Sequence, residues 1–153
     1  MAGAQSDPPE DGDDPAGLTV HATCVAHGAR AMLIRGAAGR GKSGLALRLI
    51  ALGAELVADD RTRLWRAGRQ VMADAPETIR GRIEARGMGL LRLPASGPRA
   101  LALVVDLDRD ETARLPPLRE TRLDGVALPL VHGSGHAHFP AALLLYLCHG
   151  HLE

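Results

Sequence analysis

The eight residues Gly36-Ala37-Ala38-Gly39-Arg40-Gly41-Lys42-Ser43 match the pattern G-x-x-x-x-G-K-[ST] in full. Glycines at 36, 39 and 41 let the backbone fold closely enough for its N–H groups to converge on a polyphosphate, at the positive end of the following helix. Lys42 would set a compact ammonium between the terminal phosphates, and Ser43 would offer a hydroxyl to Mg²⁺. Lys42 is also the single lysine among 18 basic residues; the others are all arginine. A guanidinium is planar and bulkier and does not easily take an ammonium's place in such a cradle. The site therefore gives a reason for one lysine to persist in an arginine-biased chain.

Phosphoryl transfer also calls for carboxylates, one near the metal and one near the attacking nucleophile. Asp59-Asp60 ends the strand that directly follows the loop's helix. Side chains alternate along a strand, so at most one of this pair should face the phosphates squarely. Asp106 closes the apolar run Ala100–Val105, as a Walker B acid would, but Asp108 and Asp110 beside it make a solvated acidic loop the simpler expectation. His132, His136 and His138, with His149 and His151 further on, invite a metal. No Cys or carboxylate completes the set, and the glycine-rich segment 132–138 reads as a flexible surface loop.

These residues need a scaffold. Leu18–Val25 has the β-branched content of a strand, His27–Arg30 that of a tight turn, and Ala31–Ile34 that of a short strand feeding the glycine-rich loop. Lys42–Leu52 carries the apolar spacing of a helix stopped by Gly53. Glu55–Ala58 reads as a strand, and Arg61–Arg66 with Gln70–Ala73 as a hairpin. Pro76–Arg86 reads as polar and irregular, and Met88–Leu93 as a strand. A second hairpin is expected over 120–130, turning at Asp124-Gly125, and an apolar helix over 140–149, for the core or a subunit interface. Many short strands with few helices predict an α/β fold with a largely β periphery.

The 153 residues suit one domain, and with three aromatic residues (Trp65, Phe139, Tyr146) the core must be aliphatic. Residues 1–17 hold five acids, no base and three prolines, which predicts a disordered acidic tail. The domain proper, 18–153, then has 18 basic against 13 acidic residues, a balance of +5. That suits an anionic ligand and is too mild for nucleic acid. Cys24 and Cys148 have no metal spacing and read as buried, reduced thiols. The N-terminus lacks the pattern of a signal peptide, and the longest apolar stretch, Ala141–Cys148, is too short to span a bilayer. A soluble, cytoplasmic protein without a membrane partner is expected.

The stretch TVHATCVAHGARAMLIRGAAGRGKSGLALRLIALGAELVADD resembles the catalytic domain of HPr kinase/phosphorylase: a histidine strand, a turn, a P-loop and helix, then a VADD strand end. IEARGMGLL, residues 83–91, is similar to that family's Glu-Ile-Arg-Gly-Leu-Gly signature. The resemblance covers about residues 18–93. It implies a P-loop kinase domain of the HPr kinase/PEP carboxykinase-like type, with a β-rich core, a P-loop helix and a C-terminal helix. It further implies ATP and Mg²⁺ as cofactors, a serine of HPr as phosphoryl acceptor, and a homo-oligomer, a hexamer in the family. His21 aligns with an active-site histidine, Lys42 with the P-loop lysine, and Ser43 and Glu84 with Mg²⁺ ligands. Arg86 lies in the signature loop. Asp60 is favoured as the base that takes the serine proton, and Asp59 as support for the metal or His21, with the reverse order as the alternative.

The layout is expected to be a short form, lacking the extra N-terminal domain of well-known members. Where the family carries a Pro-Gly-Arg-Asn-like loop with a catalytic arginine, this chain reads VHGSGHAH, and no arginine follows Arg122. This weakens the expectation of the phosphorylase direction. Two other readings compete: a small-molecule P-loop kinase, although no arginine-rich lid helix is evident, and a nucleotide-binding regulatory module without transfer activity.

Overall fold

The computed structural model describes residues 17–150. All but the last residue of the expected acidic tail, and His151, lie outside them. Nine strands form one sheet: β1 (Leu18–Val20), β2 (Ala22–His27), β3 (Arg30–Arg35), β4 (Glu55–Ala58), β5 (Thr62–Ala67), β6 (Gln70–Asp74), β9 (Arg99–Asp110), β10 (Arg119–Leu123) and β11 (Val126–Gly133). β7 (Arg82–Ala85) and β8 (Gly89–Arg92) pair only with each other. The helices are α1 (Lys42–Ala51) and α2 (Phe139–His149), with a short 3₁₀ turn at Glu77–Ile79.

Strand β9 organises the sheet. Along one edge it pairs with β3 in parallel; along the other it meets β6 at its start and β11, again parallel, at its end. β2 runs antiparallel to both β3 and β4, so β4 points the same way as β3 with one strand between them. The C-terminal ends of β3, β4, β9 and β11 and the start of β2 therefore share one edge of the sheet, the place where open α/β sheets bind ligands.

Alternation along the central strands sorts the core into two clusters. Val25, Met32, Ile34, Leu56, Leu103 and Val105 face α1 and α2, which contribute Leu45, Leu49, Leu143 and Leu147. Cys24, Leu33, Val57 and Val104 face the other way and meet Leu64, Val71, Leu123 and Leu128 from the outer strands, so the sheet covers its own second face. Each fully buried leucine contributes about 1.5–3 kcal/mol. The α/β class, the β periphery, both hairpins and both helices are as expected.

Several local expectations change. The run 18–25 is two strands, broken at His21, because Leu18–Val20 pairs with β5 while Ala22–His27 pairs with β3 and β4. Residues 82–85, expected to be irregular, form β7, whose Ile83 and Ala85 are buried while Arg82 and Glu84 are exposed. β9 continues through Asp110, since β11 supplies a ladder partner beyond Asp106. His132 belongs to β11 and not to a loop. Cys24 is buried, its thiol pushed well above the ordinary range by burial and by the nearby Asp74 charge. Cys148 is exposed, with Sγ 3.4 Å from His27 Nδ1.

Candidate functional site

The glycine-rich loop leaves β3 at Gly36 and enters α1 through Gly41, whose φ of 93° is a left-handed value that favours glycine. No side chain caps α1. Its first N–H groups are thus left to solvent or a ligand, the condition for an anion site. Lys42 is 8% exposed and donates to the Gly36 carbonyl at 2.6 Å and, more weakly, to that of Ala37 at 3.4 Å. The loop's outer side is tied to the end of β9. Ala37 N–H donates to Asp108 Oδ1 at 2.9 Å, and Arg40 donates to the Leu107 carbonyl at 3.0 and 2.7 Å from Nε and Nη2. Ala38, Gly39 and Gly41 are exposed.

On the inner side the partner is Asp59. Its Oδ1 accepts Ser43 Oγ–H at 2.6 Å and Thr23 Oγ1–H at 3.0 Å, and its Oδ2 accepts Glu84 N–H at 3.0 Å. One buried carboxylate thus gathers the P-loop helix, β2 and β7. Asp60 does not share its orientation: it is exposed, with φ at 70°, and Arg61 N–H closes back on the Asp59 carbonyl at 2.8 Å. The chain turns within three residues here, a γ-turn with a non-glycine residue at its centre. Asp59 alone of the pair bonds to the loop's helix; β4 has already ended at Ala58, and the turn, not strand alternation, carries Asp60 out to solvent.

The remaining sequence-predicted residues sit around this pair. His21, exposed, occupies the break between β1 and β2. Glu84 reaches Asp59 through its backbone, with its side chain exposed. Arg86 is exposed in the turn of the β7–β8 hairpin. The segment entering that hairpin is fixed by Arg80, whose guanidinium grips Asp74 with two bonds of 2.8 and 3.0 Å. That bonding raises the Arg80 pKa further.

Asp106 is not a solvated loop acid. It is 7% exposed at the C-terminal end of the ladder with β3, 3.7 Å from Arg35 Nη2 and 3.8 Å from Arg109 Nε, and it accepts the Asp108 N–H at 2.9 Å. Beyond it, Glu111 binds Arg119 and lies 3.9 Å from His132 Nδ1. Amide and guanidinium donors hold the Glu111 carboxyl below its usual range; burial and then Arg119 lower the His132 pKa. The rings of His136 and His138 stack at 5.1 Å. Among the described residues, no three of His, Cys, Asp or Glu are grouped to hold a metal, and no helix is long and apolar enough to cross a membrane.

Thr23, Asp108 and Arg40's tie to β9 were not legible as parts of this edge. Thr23 is an ordinary strand residue by type, and Asp108 lies 71 residues from the loop amide it binds.

The family model of the HPr serine kinase C-terminal domain matches residues 16–97, which are 82 of the 153 residues. The HPr kinase/phosphorylase of Alkaliphilus metalliredigens is 39% identical over 93 residues, 60% of this chain and 30% of that protein. That of Bordetella pertussis is 36% identical over 124 residues, 73% of this chain and 40% of that protein. The chain thus spans well under half the length of these curated relatives. The structure of the Hpr(Ser) kinase/phosphatase from Coxiella burnetii matches in fold with a TM-score of 0.71 at 24% identity, covering 88% of this chain and 95% of that one.

Proposed function

The chain belongs to the HPr serine kinase C-terminal domain family, and from that premise we propose that it is a Mg-ATP-dependent protein serine kinase acting on HPr, with residues 18–153 as its catalytic domain. The observation that carries the reading is the 2.6 Å bond from Ser43 Oγ to Asp59. It sets an uncapped helix N-terminus, a lysine ammonium and a carboxylate side by side, with a second, exposed carboxylate one residue further along. This donor set fits a metal-bound nucleotide: amides and Lys42 for the phosphates, Ser43 and Glu84 for the ion, with Asp59 supporting it. Bound Mg²⁺ would supply charge neutralisation on the phosphates.

The protein's own residues do the rest. A serine hydroxyl is a weak nucleophile, so a positioned carboxylate must take its proton as it attacks. Asp60, exposed one residue beyond Asp59, is assigned that role. His21 stands at the break in the neighbouring strand, and Arg86 lies in the turn of the β7–β8 hairpin. Arg40 keeps the loop docked on β9. Homo-oligomeric assembly and a cytoplasmic setting belong to the same reading.

Incubation with purified HPr and Mg-ATP should add one phosphate, on serine and stable to acid. No transfer across nucleotides and metals would overturn the assignment. Turnover of a metabolite with HPr ignored would point to a small-molecule kinase instead, and nucleotide binding without transfer to a regulatory module.

A further inference from the structure

The β2–β4 ladder ends at Cys24↔Ala58. One residue on, where the next backbone pairing would fall, a side chain takes over. Thr23 Oγ1, fully buried, donates to Asp59 Oδ1 at 3.0 Å and accepts the Asp60 N–H at 3.1 Å. Thr62 fastens the far side of the same turn, its hydroxyl donating to the Ala22 carbonyl at 2.9 Å. A single hydroxyl is thereby bonded to both acids, to the carboxylate of one and the amide of the other. It does so at the place where the backbone adopts a positive φ of 70°, which glycine takes most readily and few other residues adopt. Valine has nearly the same shape and neither bond.

We infer that Thr23 is a positioning residue for phosphoryl transfer: its hydroxyl fixes the Asp59 carboxylate toward Ser43 and locks the Asp60 turn, so that Asp60 stands at one distance from the incoming hydroxyl. The inference rests on the kinase reading above. Thr23, fully buried, acts through Asp59 and Asp60 and not by contact with a substrate. Its loss therefore acts on the chemical step and leaves binding in place, because small misplacements of a reacting group cost rate steeply.

The test compares wild type, Thr23→Val and Thr23→Ser in three measurements: steady-state phosphorylation of HPr, thermal melting, and hydrogen exchange at the Asp60 amide. Thr23→Val should lower kcat about ten- to a hundredfold, with KM for ATP and for HPr within about threefold of wild type. It should also speed exchange at Asp60. Thr23→Ser should restore kcat to within about threefold of wild type. A Thr23→Val protein with wild-type kcat, a loss confined to KM, or a serine variant as impaired as the valine variant overturns the inference. If Thr23→Val does not melt cooperatively, Thr23→Ala is read by the same criteria. A wild-type protein that transfers no phosphate overturns the kinase reading and the catalytic role with it. Unchanged Asp60 exchange in the valine variant overturns the structural role whatever the activity.

Discussion

Two strand ends flank the phosphate loop, and each buries a carboxylate to nearly the same degree: Asp59 after β4 is 8% exposed, and Asp106 on β9 is 7%. Their company differs. Asp59 is held by two hydroxyls and an amide, all neutral donors. Asp106 lies between the guanidinium groups of Arg35 and Arg109, and just past the end of β9 Glu111 meets Arg119 of β10 and His132 of β11. Neutral donors orient a carboxylate without cancelling its charge. Guanidinium neighbours compensate the charge and turn the acid into a structural tie. The Walker-like position of Asp106 is thus occupied by an acid tied to two arginines, and on the kinase reading the chemistry falls to the acids after β4.

The sharpest way to break this contrast is to neutralise one acid on each side. Asp60→Asn is expected to cut the rate of HPr phosphorylation by about 10²–10⁴, the usual worth of a general base. Asp106→Asn should keep most of the rate; equal losses would erase the distinction. Stability should respond the other way. Asp106→Asn is expected to lower the unfolding free energy by about 1–3 kcal/mol, since two guanidinium groups lose their counter-charge. Asp60→Gly, which relieves a left-handed φ of 70°, should raise it by about 1 kcal/mol while abolishing transfer. Paired denaturation curves and transfer assays read both.

The smallest effect concerns acid. The folded His132 binds its proton less tightly than the ordinary imidazole at 6.5, so below that pH the unfolded chain takes up more protons and stability falls. Glu111, held low, adds a loss in the same direction at more acidic pH, as folding must then give up its ionised form. Melting curves of His132→Gln and wild type should therefore agree in their pH dependence above neutrality and diverge below about pH 6.5. Divergence above neutrality would remove His132 from the β9 network.

The loop, its helix and the Asp59-Asp60 strand end were legible because their information is local: a fixed spacing, an apolar helical period and an acid pair at a strand terminus. Residues 82–85 were not, because arginine and glutamate occupy the two exposed positions of a four-residue strand whose only partner is its own hairpin mate. The acidic stretch 106–110 resembles a loop by composition and becomes a strand only through β11, more than twenty residues later. The break at His21 has no marker in a run of β-branched residues. It arises because two different neighbours compete for the two halves. Thr23 stayed hidden for a related reason: threonine is what strands ordinarily contain.

Lys42 rests its ammonium on two carbonyls of its own loop. The lysine thus braces the turn from inside. On the kinase reading, phosphate oxygens would take over from those carbonyls around a charge that never has to cross into the interior. The one lysine in the chain is, on this view, as much a strut of the loop as a grip on phosphate.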